Sequence, residues 1–103
     1  MKLGLHMPST NWEGGAGRLG PKLAEIVQAA EAAGFDTIDV SDHVWGHPAT
    51  GGAEASQLEA YTTLGFIAAH THRVRLLALA TAVSYRHAGL LAKMVTTLDV
   101  LSG

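Results

Sequence analysis

The segment from Thr37 to His43 reads TIDVSDH and decides the fold class. Its first five residues alternate polar and apolar side chains, which predicts a β-strand with Ile38 and Val40 facing one way. Asp42 and His43 follow at once, and the chain then runs to Ser56 through a stretch with three glycines and one proline. We therefore expect a short strand that ends in a long loop with polar side chains at its start.

A helical pattern precedes this strand. Apolar residues recur at helical spacing, at Leu23, Ile26, Val27, Ala30 and Ala33. Pro21 suits the first position of a helix and Gly34 suits its end. We thus predict a loop over 8–20, a helix from Pro21, and an opening strand over Leu3–Met7.

Two further helices and one further strand follow in alternation. A second helical stripe is formed by Leu58, Tyr61, Leu64 and Ala68, and a third by Leu91, Met94, Val95, Leu98 and Leu101, with Gly103 as its stop. Between them, the aliphatic run over Val74–Val83 is long enough for a buried strand. Three strand–helix repeats indicate one α/β domain over 1–103 with a parallel sheet and right-handed crossovers.

Composition excludes several classes of protein. The chain has 103 residues, of which 48% are hydrophobic and 16% charged, so it is not of the disordered class. The net charge of -2 indicates neither a nucleic-acid partner nor an acidic membrane surface. Without cysteine there is no disulfide, thiolate zinc site or cysteine nucleophile. No apolar run is long enough for a membrane span or signal segment, so we expect a cytoplasmic protein.

In parallel α/β proteins, ligands bind where strands end, and Asp42-His43 lies at such a position. A carboxylate beside an imidazole can orient a ligand or move a proton near neutral pH. Alternatively, Asp42 makes turn hydrogen bonds beside an ordinary exposed His43. Spacing alone leaves both interpretations open.

The exit of the third strand offers two further candidates. Arg86, just before a helix, can hold an anion such as a cofactor phosphate, or it can pair with a nearby acid. Ala80, Thr81 and Ala82 are small enough for a flat ring to approach the backbone, although tight packing explains them equally well. Both pairs of alternatives stay open at this point.

Histidine pairs invite a metal site, but the spacing does not favour one. His43 and His47 share a face only on a helix, and Gly46 and Pro48 indicate a loop. His70 and His72 fall at a helix end, far from the carboxyl ends of the strands. With no thiolate and no third ligand, we predict no metal site.

At these residues the sequence resembles the luciferase-like monooxygenase family, particularly its coenzyme F420-dependent oxidoreductase branch. The stretches that carry the resemblance occur in family order along nearly the whole chain: AAEAAGFD at 29–36, VSDHV at 40–44, EAYTTL at 59–64, YRH at 85–87, LLAK at 90–93 and TTLDVLSG at 96–103. Two positions depart from the family pattern. Ala88 stands where relatives commonly have proline, and Leu77-Ala78 stands where they often have Gly-Thr.

The resemblance implies a (β/α)8 TIM barrel with a flavin-type cofactor at the carboxyl ends of its strands. It places Asp42 and His43 beside the cofactor ring, with His43 as the candidate for proton handling. It further implies that the third strand ends in a bulge with a non-prolyl cis peptide that supports the ring, at Leu79 and Ala80, followed by Thr81 and Ala82. The cofactor would be coenzyme F420 or, as the alternative, FMN, and the full enzyme would act on a small-molecule substrate.

Length conflicts with a closed barrel, which needs about 250 residues and eight strands. We therefore expect the first three β/α units of an incomplete TIM barrel, inactive in isolation, in a family of hydride-transfer or monooxygenase enzymes. Unpaired strand edges would favour self-association. The alternative hypothesis is a small α/β module that self-associates or docks a partner without catalysis.

Overall fold

The computed structural model describes all residues, 1–103, and contains a three-stranded parallel sheet in the order β1-β2-β3. Each strand is followed by one helix, so the predicted α/β class with three β/α units is confirmed. The elements are β1 (Gly4–Met7), α1 (Ala16–Ala32), β2 (Thr37–Val40), α2 (Ala60–Ala68), β3 (Arg75–Ala78) and α3 (Ala88–Ser102). One-turn 3-10 helices over Pro48–Thr50 and Val83–Tyr85 interrupt the loops after β2 and β3.

The strand register gives the sheet two unlike faces. Side chains alternate along each strand, so in-register residues form rows across the sheet that face the same way. The helix face carries the rows Leu5–Ile38–Leu76 and Met7–Val40–Ala78, which pack into the hydrophobic core. The opposite face, called the open face below, carries the row His6–Asp39–Leu77. Leu77 is 45% exposed there.

The core lies between the sheet and the first two helices. Its largest fully buried side chains are Ile38 on β2, Val27 on α1, and Leu64 and Ile67 on α2. Ile38, Val27 and Leu64 are members of the patterns read from the sequence, whereas Ile67 lies outside the predicted stripe of α2. Burial of each of the four contributes roughly 1.5–3 kcal/mol. Helix α3 has no fully buried residue, and Val100 on it is 79% exposed.

The predicted start of α1 is wrong, because the helix begins at Ala16 and Pro21 lies inside it. Gly14 and Gly15 adopt φ values of 101° and 69°, and this turn directs the chain into helix well before the proline. Pro21 has no N–H to donate to the carbonyl of Gly17, and Gly17 is an exposed residue.

The predicted strand over Val74–Val83 is too long and is not buried. Strand β3 ends at Ala78, and its residues alternate between exposed and half-buried. It is an edge strand whose open face has no cover, which leaves Leu79 54% and Val83 70% exposed. The third helical stripe is partly confirmed: its half-buried members are Leu91, Met94 and Leu98, whereas Val95 and Leu101 are 44% and 77% exposed. No helix of the chain combines the length and apolar character needed to cross a lipid bilayer.

Candidate cofactor site at the carboxyl ends of the strands

Asp42 lies at the carboxyl end of β2 and faces the exit of β3. Its side chain is only 2% exposed, and its Oδ2 accepts a hydrogen bond from the N–H of Ala82 at 2.9 Å. The two stretches that the sequence singled out, at 42–43 and 79–82, therefore meet at one edge of the sheet. Of the predicted site residues, Asp42 and Ala82 are brought into direct contact.

Arg86 completes this contact from the loop that leads into α3. Its Nη1 donates to Oδ2 of Asp42 at 2.7 Å and its Nη2 donates to Oδ1 at 2.8 Å, which is a bidentate pair. The same Nη2 also donates to Glu59, the residue that caps α2. With a side chain only 10% exposed, Arg86 follows the acid-pairing alternative rather than the anion-binding one.

Electrostatics keep this cluster charged. Hydrogen bonds from Arg86, and then from the Ala82 N–H, lower the pKa of the Asp42 carboxyl against the opposing effect of burial. Burial opposes ionisation of Glu59, but the N–H groups of Thr62 and Tyr61 together with Arg86 outweigh it, and the Glu59 pKa is lowered as well. Asp42 therefore stays ionised at neutral pH, so it orients groups rather than exchanging protons.

His43 differs from Asp42 in both exposure and hydrogen bonding. It is exposed, and Asp42 makes its side-chain hydrogen bonds with Arg86 and Ala82 instead of with the imidazole. The His43 ring lies 5.7 Å from the ring of His47, whose Nδ1 accepts the Ala49 N–H and caps the 3-10 helix. Although the two residues are neighbours in the sequence, Asp42 is a carboxylate fixed by hydrogen bonds and His43 is an exposed imidazole.

The exit of β3 presents a small, apolar surface beside this cluster. The peptide bond between Leu79 and Ala80 is cis, as the family resemblance implies, and both residues are exposed. Thr81 Oγ1 and the Tyr61 hydroxyl share a hydrogen bond of 2.7 Å, which ties this turn to α2. The Tyr61 ring in turn lies 4.9 Å from the Arg86 guanidinium carbon.

His70 and His72 both make hydrogen bonds within the chain. His70 Nδ1 lies 2.8 Å from the Phe66 carbonyl oxygen and its ring stacks on Phe66. The His72 backbone N–H donates to Glu31 at 2.8 Å. No three His, Cys, Asp or Glu side chains converge in a way that would hold a metal ion.

Sequence reasoning missed two polar contacts. His6 and Asp39 are register partners on the open face and their side chains pair. Strand alternation alone places both residues opposite the apolar rows, and that signal was available. Glu59 lies directly before the first residue of α2, as a capping residue should, but its contact with Arg86 depends on the adjacency of α2 to the β3 exit.

Comparison with known proteins decides the family. A family model described as luciferase-like monooxygenase matches residues 1–103. The chain belongs to the luciferase-like monooxygenase family. The resemblance read from the sequence motifs is thereby confirmed at the level of the family.

A solved structure of a monooxygenase agrees with this assignment. The luciferase-like chain is similar to the crystal structure of monooxygenase RslO1 from Streptomyces bottropensis, with a TM-score of 0.78 and 28% sequence identity. The similarity covers 99% of this chain and 30% of that one. The chain thus spans about 30% of the length of the solved monooxygenase. No curated protein matches the sequence.

Proposed function

We propose that this chain supplies the first three β/α units of a flavin- or deazaflavin-dependent oxidoreductase that acts on a small-molecule substrate by hydride transfer or monooxygenation. The observation that carries the proposal is the hydrogen bond from the Ala82 N–H to Asp42. It joins the loop that bears His43 to the turn at the end of β3, at the edge where parallel α/β proteins bind ligands.

The residues at this edge suit a flat, polar-edged ring. Leu79 and Ala80 offer an exposed apolar surface, and the small side chain of Ala80 does not obstruct approach to the backbone. Asp42, Thr81 and Ala82 fix the shape of that surface through hydrogen bonds. A bound coenzyme F420, or FMN as the alternative, would supply the hydride- or oxygen-transfer chemistry.

Two residues would have separate duties in such a site. Asp42, held ionised by Arg86, orients the loop and the β3 turn. His43, exposed and outside the ion pairs, takes up or releases a proton at its imidazole next to the ring. The proposed cofactor-contacting set is Asp42, His43, Leu79, Ala80, Thr81 and Ala82.

The test is a nuclear magnetic resonance titration of the 103-residue chain with coenzyme F420 and, separately, with FMN. We expect amide shifts centred on 42–43 and 79–82, weakened by His43→Gln and unaffected by the control His72→Gln, whose exposed ring lies at the other end of the sheet. We expect no turnover from the isolated chain. Shifts centred elsewhere, or none with either cofactor, would contradict the proposal, and tight stoichiometric binding by a monomer would contradict the expected inactivity.

A second candidate function is favoured by the exposed apolar residues of α3. Val100 and Leu101 are 79% and 77% exposed, and a groove of about 450 Å³ separates α3 from the edge strand β3. In this alternative, a second copy of the chain covers that surface and the module associates without catalysis. Light scattering separates the two: a discrete oligomer supports the module, whereas heterogeneous aggregation contradicts it. For either function the cytoplasm is the compartment we propose.

A further inference from the structure

A small cavity of about 10 Å³ lies between the sheet and the start of α2, at the carboxyl ends of β1 and β2. The last residues of the two strands, Met7 and Val40, line it. Gln57, just before α2, and Thr63 within that helix line it as well. Thr10 contributes from the loop after β1. The proposed cofactor-contacting set includes none of these residues.

One oxygen atom of a lining residue lacks a hydrogen-bond donor. Oε1 of Gln57 is buried and accepts no hydrogen bond from any group of the chain. It is the only buried side-chain oxygen or nitrogen of the protein without a partner. Burial of an amide oxygen removes its bonds to bulk water, so nearly all such atoms in folded proteins find another donor. The cavity beside Gln57 is where a donor for Oε1 can bind.

The other lining groups indicate what kind of molecule this donor is. The hydroxyl of Thr10 donates to the Ser56 carbonyl oxygen at 3.2 Å, so its own oxygen can still accept a hydrogen bond. The hydroxyl of Thr63 likewise donates to the Glu59 carbonyl oxygen at 2.8 Å. No charged side chain lines the cavity, which argues against a cation, since a buried charge needs a counter-charge. A volume of about 10 Å³ has room for one water molecule and for nothing larger.

We propose that this cavity binds a single water molecule that joins the loop after β1 to the start of α2. The water donates one hydrogen to Oε1 of Gln57 and the other to the hydroxyl oxygen of Thr10. These two residues belong to segments already in contact, because the N–H and the hydroxyl of Thr10 both donate to the carbonyl oxygen of Ser56, the residue before Gln57. The water is thus a second connection between the same segments, at the edge where parallel α/β proteins bind ligands. The site does not depend on the proposed cofactor function.

The first test detects the water itself by nuclear magnetic resonance of the 103-residue chain. We expect nuclear Overhauser effects from water to the methyl groups of Val40 and Leu58, which line the cavity. The methyl groups of Val27 and Ile67, fully buried outside the cavity, are the matched control and should show none. Gln57→Met should abolish the effects while it leaves the threonine hydroxyls in place. Absence of the effects in the unsubstituted chain, or their survival in Gln57→Met, would overturn the proposal.

The second test uses the direction of a stability change. Methionine has about the length of glutamine but lacks the amide, so Gln57→Met loses the bond to the water and should lower the urea midpoint. If no water were bound, the same substitution would remove an unpartnered buried oxygen and raise the midpoint. Gln28→Met, at an exposed residue of α1, is the matched control and should leave the midpoint unchanged. A midpoint for Gln57→Met equal to or above that of the unsubstituted chain would overturn the proposal.

Discussion

Asp42 and Arg86, 44 positions apart in the sequence, form a bidentate ion pair with N···O distances of 2.7 and 2.8 Å. Their side chains are 2% and 10% exposed, so the pair is shielded from water. Arg86 also reaches Glu59 at the start of α2, and its guanidinium lies over the Tyr61 ring. One guanidinium thus connects the loop after β2, the start of α2 and the loop after β3.

Loss of this guanidinium should destabilise the whole edge. Arg86→Gln leaves the buried Asp42 carboxylate without its cation, which costs about 3 to 5 kcal/mol of unfolding free energy. Arg86→Lys should be intermediate, because an ammonium cannot make the planar bidentate contact. Urea denaturation measures both. The control is Arg18→Gln on the exposed side of α1, whose free energy of unfolding should lie within about 0.5 kcal/mol of that of the unsubstituted chain. Equal losses of stability in Arg86→Gln and Arg18→Gln would show that the Asp42–Arg86 pair does not stabilise the chain.

Acid should weaken the same pair. The pKa of Asp42 is lowered in the folded chain from an ordinary 3.8, so its contribution is present above that value and is lost as the pH falls through the folded pKa. We expect the free energy of unfolding to stay level down to about pH 4 and to drop below it. Asp42→Asn should lower the stability at neutral pH and flatten that drop. Glu54→Gln, at an exposed residue outside the ion pairs, should show the same pH dependence of the free energy of unfolding as the unsubstituted chain. If Asp42→Asn lost as much stability in acid as the unsubstituted chain, other carboxyl groups would be responsible for that loss.

Local patterns identified much of this architecture. The alternation over 37–41 predicted β2, and burial of Ile38 and Val40 confirms both its position and its orientation. Hydrophobic residues at helical spacing likewise predicted Leu23, Val27 and Leu64 as core members. These properties depend on side-chain period alone, which a sequence displays directly.

The missed features depend on facts that a single segment does not carry. Pairing of His6 with Asp39 follows from the register of β1 against β2, and register is set by the packing of the whole sheet. The early start of α1 follows from the left-handed φ of Gly14 and Gly15, which glycine permits without requiring. Strand β3 is shorter than its aliphatic run because its last residue, Ala78, pairs with Val40, where β2 ends.

The hydrogen bond between Tyr61 and Thr81 should hold the β3 exit in place. Tyr61→Phe removes the hydroxyl that lies 2.7 Å from Thr81 Oγ1, at an expected loss of about 1 kcal/mol. Amide exchange at 79–82 should quicken, because that turn loses its tie to α2. Tyr85→Phe is the matched control, since the Tyr85 side chain is half exposed and its hydroxyl has no partner. Unchanged exchange in Tyr61→Phe would mean that Asp42 alone holds the turn.

Glu31 should act as an anchor for the turn before β3. Its Oε1 accepts the backbone N–H groups of His72, Arg73 and Val74 at 2.8, 2.6 and 3.2 Å. The first two of these lower the Glu31 pKa most, so its stabilising effect is present above the ordinary glutamate pKa and is lost in acid.

Glu31→Ala should therefore lower the urea midpoint at neutral pH and lose that deficit at low pH. The matched control on the same helix is Glu25→Ala, whose carboxylate makes only an exposed ion pair with Lys22. Equal midpoints for the two variants at neutral pH would show that the three N–H contacts do not stabilise the turn.

Gly46 should be essential to the shape of the loop that bears His43. A Cβ at this residue would lie 2.0 Å from the Gly52 carbonyl oxygen and 2.9 Å from the Ala55 Cβ, so alanine must push the two arms of the loop apart. We expect Gly46→Ala to cost about 1–3 kcal/mol, as overpacking does, and to shift the amide resonances over 43–52. Gly65→Ala is the matched control, because it lies inside α2 with no atom near its added methyl and should stabilise the chain by about 0.5–1 kcal/mol. If Gly46→Ala stabilised the chain as much as Gly65→Ala and left the loop resonances unchanged, the close approach of Gly46 to Gly52 would be absent in solution. The position of His43 would then be set by the Asp42 contacts alone.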